Sequence, residues 1–119
     1  MGDLTANFSR SEFKCKCGNC DFDTVDIETL TVLQGVADHF EASVTINSAC
    51  RCPEHNKAVG GSKNSYHVKA RAADITVFGV KPSDVHFYLD HTYPDIYGLG
   101  KYDFFTHIDT RSNKARWKG

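Results

Sequence analysis

The chain has no surplus of charge of either sign: 14 Lys and Arg stand against 15 Asp and Glu, a formal charge of −1. A protein that grips nucleic acid by neutralising phosphates carries a basic excess, so no nucleic-acid partner is expected. No apolar run approaches the roughly 18 residues of a membrane-spanning helix, so no membrane span is expected. Residues Met1 to Asn7 lack the basic and apolar regions of a secretory leader, and synthesis in a cytoplasm without a signal peptide is expected. Repeats and low-complexity segments are absent as well. With 119 residues the chain is long enough to bury one core and too short for two. A single domain over residues 1–119, acting as a monomer, is the expectation.

The apolar spacing that is present predicts an α+β fold, a small antiparallel sheet with helices packed against it. Ile27, Leu30, Leu33, Val36, Ala37 and Phe40 recur at three- and four-residue steps and predict an amphipathic helix from Asp26 to Phe40. Residues 9–14 read as a helical turn with Ser9 as N-cap and Glu12 at the capping-box position. Ser43 to Asn47 alternates as a strand. A short helix is expected from Pro53 to Val59, ended by Gly60-Gly61. Ser83 is expected to cap a helix through about Leu89, stopped before Pro94. A hairpin-like pair is expected around Gly98–Tyr102 and Phe104–Thr110.

His67 and Asp74, with His107 downstream, carry the chemistry. An imidazole, a carboxylate and a second imidazole are the ligand types of a catalytic zinc site, which leaves a fourth tetrahedral position free. Six residues separate His67 from Asp74, enough for the chain to pass from a loop into a strand and return beside its start. Ala-Ala-Asp-Ile-Thr-Val reads as a short buried strand in which Asp74 shares a face with Ala72 and Thr76. A carboxylate buried there must be paired, hydrogen-bonded or metal-bound. In Phe104 to Thr110, alternation puts Phe105, His107 and Asp109 on one face and Phe104, Thr106 and Ile108 on the other. Two strands with ionisable groups on one face suggest a polar pocket built on a sheet.

Longer stretches carry a resemblance. Ser48-Ala49-Cys50-Arg51-Cys52-Pro53-Glu54-His55-Asn56, Val59-Gly60-Gly61-Ser62-Lys63-Asn64-Ser65-Tyr66-His67 and Ala70-Arg71-Ala72-Ala73-Asp74-Ile75 resemble the M15 zinc peptidases. Phe8 to Gly18, and Gly98 to Tyr102 followed by His107-Ile108-Asp109, match too, so the likeness covers nearly the whole chain. That family holds D-alanyl-D-alanine carboxypeptidases and L-alanyl-D-glutamate endopeptidases of peptidoglycan stem peptides. The likeness is to its short members from bacteriophages and prophages. It implies a hedgehog/D-Ala-D-Ala peptidase-like fold, a zinc ion on His67, Asp74 and His107, and a stem-peptide substrate. It also implies action on the cell wall after delivery by another factor.

The implied mechanism is metal-assisted peptide hydrolysis, in which zinc activates a water and polarises the scissile carbonyl. Asp109 or Asp103 takes the water's proton and returns it to the leaving amine, with Asp109 placed first. Asp109 alternatively orients His107. Arg51 follows the Val44-Thr45-Ile46 strand, and its planar guanidinium is expected to hold a substrate carboxylate or stabilise the oxyanion. Ser65 is expected to orient a ligand or substrate. Two positions depart from the family pattern: Ala70 stands for a usual Gly, and Phe104 for the Glu or Asp that many relatives use as base. The departure at Phe104 keeps open a second reading, a weakly active or inactive zinc-containing module for binding or structure, as in hedgehog signalling domains.

The remaining polar residues read more plainly. Cys15, Cys17, Cys20, Cys50 and Cys52 are expected to be reduced and packed near one another, the alternative being a second, structural zinc. His39, His55, His86 and His91 have no ligand pattern. Lys57, Lys63, Lys69 and Arg71, and Arg111, Lys114, Arg116 and Lys118 in the tail, read as solvated surface, the alternative being contact with anionic cell wall.

Overall fold

The computed structural model describes residue 8 and residues 10–13, 26–49 and 71–118. Elements run in the order 3-10 turn (Arg10–Phe13), α1 (Ile27–Phe40), β1 (Val44–Ser48), β2 (Ala72–Val77), α2 (Pro82–Thr92), β3 (Gly98–Lys101), β4 (Thr106–Asp109) and β5 (Ala115–Lys118). The strands form one sheet in the order β1-β2-β4-β3-β5. All neighbours are antiparallel except β3 and β5, which run parallel. This is the small α+β fold that the apolar spacing predicts. Among the described residues no helix is long and apolar enough to cross a membrane.

Helix α1 starts where its cap allows. Asp26 is extended and its carboxylate accepts the Glu28 backbone N–H at 3.0 Å, satisfying one of the donors a helix start leaves open. The helix ends at Glu41, in the left-handed region at φ 49°. Its Leu30, Leu33, Val36 and Ala37 bury against the sheet, as the three- and four-residue spacing requires. Helix α2 departs from expectation at both ends. Ser83 lies inside it, and Lys81 is the N-cap, without a side-chain cap bond. The reason is Pro82: a proline suits the first helical position and forces the residue before it to be extended, so the cap moves to Lys81. At the other end α2 runs past Leu89 to Thr92, where the Tyr93 N–H bonds the Leu89 carbonyl.

Period-two alternation divides the sheet into two faces. Val44, Ile46, Ala73, Ile75, Val77, Leu99 and Ile108 face the helices and form the core with Val85 and Leu89 of α2 and with Phe8 and Phe13. The opposite face carries the polar site. One network ties the start of α1 to the ends of β2 and β4. Thr29 and Thr110 hydroxyls meet at 2.7 Å in the interior, and Arg71 donates to the Thr110 carbonyl at 2.6 Å and to Glu28 at 3.1 Å. The Tyr97 hydroxyl donates to the second Glu28 oxygen at 2.7 Å. Arg71 is therefore a fastening residue and not the solvated cation its sequence neighbours suggest.

The hairpin-like pair is β3 and β4, and the tail adds a strand that the sequence did not announce. The expected turn with Ser9 as N-cap appears as the 3-10 turn, although Ser9 itself lies outside the described residues, as does the expected Pro53–Val59 helix.

Candidate functional site

The register of three strands assembles the site. In the pairing of β2 with β4, Asp74 lies opposite His107 and Ala72 opposite Asp109. In the pairing of β3 with β4, Gly100 lies opposite His107 and Gly98 opposite Asp109. β5 then sets Trp117 opposite Gly100. All these positions share one face of the sheet because each lies an even number of residues from the next along its strand.

His107 stands at the centre, on the central strand. Its Nδ1 lies 2.8 Å from Asp74 Oδ1 and its Nε2 lies 2.7 Å from Asp109 Oδ2. Asp74 and His107 are 8 % and 9 % exposed, and Asp109 is fully buried. Burial alone would push the His107 imidazole down, but the hydrogen bonds it donates to Asp109 and Asp74 prevail and raise it above its ordinary value. For Asp109, burial works upward, yet the bonds from Arg111 and His107 hold its carboxyl well below the usual range.

Asp109 is saturated with donors. Its Oδ1 accepts from Arg111 Nε at 2.7 Å and from the Arg111 backbone N–H at 3.3 Å. Its Oδ2 accepts from Arg111 Nη2 at 2.8 Å and is held by His107 Nε2. A carboxylate offers about four lone-pair sites, and these contacts fill them. Arg111 grips it with the two-pronged geometry that only a guanidinium provides.

Aromatic rings wall the site. Arg111 lies over the Trp117 ring at 5.2 Å, and that ring is 5.1 Å from the His107 ring. The Trp117 indole N–H donates to the Tyr102 hydroxyl at 2.9 Å, and Tyr102 stacks on Phe105 at 4.4 Å. Glycines on β3 make the room. A Cβ at Gly98 would overlap the Asp109 carboxylate and come within 2.6 Å of Arg111 Nε, and one at Gly100 would come within 2.6 Å of Trp117.

The structure thus brings together Asp74, His107 and Asp109 of the residues singled out from the sequence. Asp103 is exposed in the turn between β3 and β4, and Phe104 beside it is 85 % exposed. His67, Arg51, Ser65 and the five cysteines lie outside the described residues. Arg111, Trp117 and Tyr102 were missed. Alternation continued two residues past Asp109 would have placed Arg111 on the same face, and the single Trp of the chain was the other available signal.

A model of the peptidase M15 family matches residues 6–109. The chain belongs to the M15 peptidase family. No curated protein matches it. The matched span contains Asp74, His107 and Asp109 and ends just before Arg111 and β5.

M15 peptidases are in general zinc enzymes, and the donors present fit that metal. Ligand atoms sharing one tetrahedral zinc at about 2.0–2.1 Å lie roughly 3.3 Å apart. His107 Nδ1 and Asp74 Oδ1, at 2.8 Å, need only a small side-chain adjustment to reach that spacing. The Nε2 edge of the ring is committed to Asp109, the carboxylate partner that metal-ligating histidines commonly have. Among the described residues no three donors converge on one point, and the remaining sequence candidate, His67, is not one of them.

Proposed function

We propose that this M15 peptidase is a zinc enzyme that hydrolyses a peptide bond of peptidoglycan stem peptides, with zinc held by His67, Asp74 and His107. One observation carries the reading. Asp74 and His107 face each other across β2 and β4, two strands that the family match covers, with an N–O distance of 2.8 Å on the buried polar face of the sheet. When bound, zinc polarises the scissile carbonyl and makes a water acidic enough to attack near neutral pH.

The chain's own residues divide the remaining tasks. Asp109 orients His107 through Nε2, and its filled lone pairs make it a poor acceptor for a further proton. Asp103, exposed in the turn that leads into β4, takes the water's proton and passes it to the leaving amine. Arg51 grips a carboxylate of the substrate, in which such groups abound, and Ser65 orients substrate or ligand. Tyr102, Phe105 and Trp117 form an aromatic wall beside the reacting centre.

Incubation of the chain with purified sacculi tests this. Free D-alanine, stem peptides or new amino termini in the sacculus should appear in the presence of zinc and not after chelation, and these products name the bond cut, whether D-Ala-D-Ala, L-Ala-D-Glu or a cross-link. A second reading is favoured by Phe104 in the usual place of the base and by the saturation of Asp109: a zinc-containing binding or structural module. Zinc-bound protein that sediments with sacculi and yields none of these products would establish it.

A further inference from the structure

The matched span stops at Asp109, yet the site does not. Two side chains beyond it complete the surroundings of His107. Arg111 occupies both oxygens of Asp109 with its guanidinium and reaches one of them again with its backbone N–H. Trp117, delivered by the parallel pairing of β5 with β3, lies against both the guanidinium and the imidazole. Its indole N–H is fixed on Tyr102.

We propose that Arg111 and Trp117 are positioning residues, which set the direction of His107 Nδ1 by clamping Asp109 behind Nε2. An imidazole on one carboxylate can still rock about its hydrogen bond. A carboxylate held in its own plane by a guanidinium cannot follow that rocking, because moving it breaks a bidentate pair in a buried site. The ring flank is blocked by Trp117. Nδ1 is thereby aimed at Asp74 before any ligand arrives, and preorganised donors spare the metal that ordering. The C-terminal strand, outside the family match, is thus part of the working site of this chain.

This inference rests on the zinc-peptidase reading, and its test separates the two. Arg111→Gln, Arg111→Lys and Trp117→Phe are prepared in the full chain, with Arg116→Lys as a control on the helix-facing side of the same strand. Zinc affinity is measured by competition with a chelator. The His107 Nε2–H proton is followed by NMR in the metal-free protein, where the bond to Asp109 slows its exchange. Arg111→Gln should weaken zinc roughly 10–100-fold, the usual effect of losing such outer support. It should also broaden or abolish the imidazole resonance. Arg111→Lys should restore only part of both, since an ammonium lacks the fork. Trp117→Phe should shift the resonance with a smaller loss of affinity. Arg116→Lys should lower the melting temperature and leave zinc affinity and resonance unchanged.

Wild-type zinc affinity and an unaltered resonance in Arg111→Gln would overturn the proposal. So would equal effects from Arg116→Lys, which would make the losses merely those of a weakened fold. If sacculi yield none of the cleavage products while the Arg111 variants show the expected losses, the substrate reading fails and the positioning role stands. If the wild-type chain takes up no zinc, the resonance alone decides the clamp.

Discussion

Replacing Gly98 by Ala puts a methyl group into the Asp109–Arg111 ion pair. The new carbon would overlap the Asp109 carboxylate and stand 2.6 Å from Arg111 Nε, and the carboxylate is no loose end but fully buried and held by four hydrogen bonds. Two responses are open. Strand β3 shifts away, at the overpacking cost of about 1–3 kcal/mol. Alternatively the pair opens, and a buried carboxylate left without its partner costs about 3–5 kcal/mol. Against either stands a gain of about 0.4–1 kcal/mol from the less flexible unfolded chain. The net loss is about 1–4 kcal/mol, which at roughly 4 °C per kcal/mol for a domain of this size lowers Tm by about 4–16 °C. Two other glycines calibrate the argument. At Gly35, inside α1, a Cβ meets only the Tyr88 hydroxyl at 3.9 Å, so alanine should stabilise by about 0.5–1 kcal/mol through helix propensity alone. Gly79 has open space but φ +75°, so alanine there should cost on the order of 1 kcal/mol in backbone strain. Thermal melts should therefore rank Gly35→Ala above wild type, then Gly79→Ala, then Gly98→Ala, and zinc affinity should drop only in the last. A Gly98→Ala protein as stable as wild type, with undiminished zinc binding, would refute the packing of β3 against the clamp.

Asp109→Asn should weaken zinc by roughly 10–100-fold and lower Tm, because the amide cannot accept from all four donors. Retained zinc affinity together with a roughly 10²–10⁴-fold activity loss would instead make Asp109 the base. That activity loss without zinc loss is the outcome expected of Asp103→Asn, measured on the products formed from sacculi. Arg116→Ala removes the guanidinium that bonds Asp90 at 2.6 Å and the carbonyls of Tyr93, Ile96 and Tyr97 between α2 and β3. It should destabilise by about 2–4 kcal/mol in urea melts, and an effect within error would show these bonds to be idle. Burial and the bond to Glu28 push the Tyr97 hydroxyl up to about 12. The folded value thus lies above the unfolded one, so its contribution is whole below pH 10 and is lost as pH rises toward 12. The stability gap between wild type and Tyr97→Phe should shrink over that window, and a gap that widens would contradict the sign.

What was legible in the sequence was what depends on local period. Three- and four-residue spacing found α1, and alternation put Asp74 on one strand face and His107 with Asp109 on another, as the register now shows. What stayed hidden depends on distant partners. Lys114-Ala115-Arg116-Trp117-Lys118 has no β-branched residue and looks like a charged tail, and it becomes a strand only because β3 offers an edge. Arg71 and Arg116 read as solvated cations because nothing local reveals a carbonyl or carboxylate brought from far along the chain, whereas the partner of Arg111, Asp109, stands only two residues before it. The cap expected at Ser83 falls at Lys81 for a local reason, the proline between them at the first helical position.

β5 explains why stability and site are not separable in this chain. Successive residues of one strand point to opposite faces, so Arg116 reaches the Tyr93 and Tyr97 carbonyls between α2 and β3 while Trp117 reaches His107 and Arg111. Its backbone pairs only with β3 among the described strands, and those two side chains add a hold on each face. Arg116 fastens it from the core side, and Trp117 separately meets the imidazole and the Arg111 guanidinium on the other face. Its Arg116→Lys variant should loosen the first hold slightly and leave the second intact, whereas deletion of the strand removes both. That difference distinguishes a strand that builds the site from one that merely covers an edge.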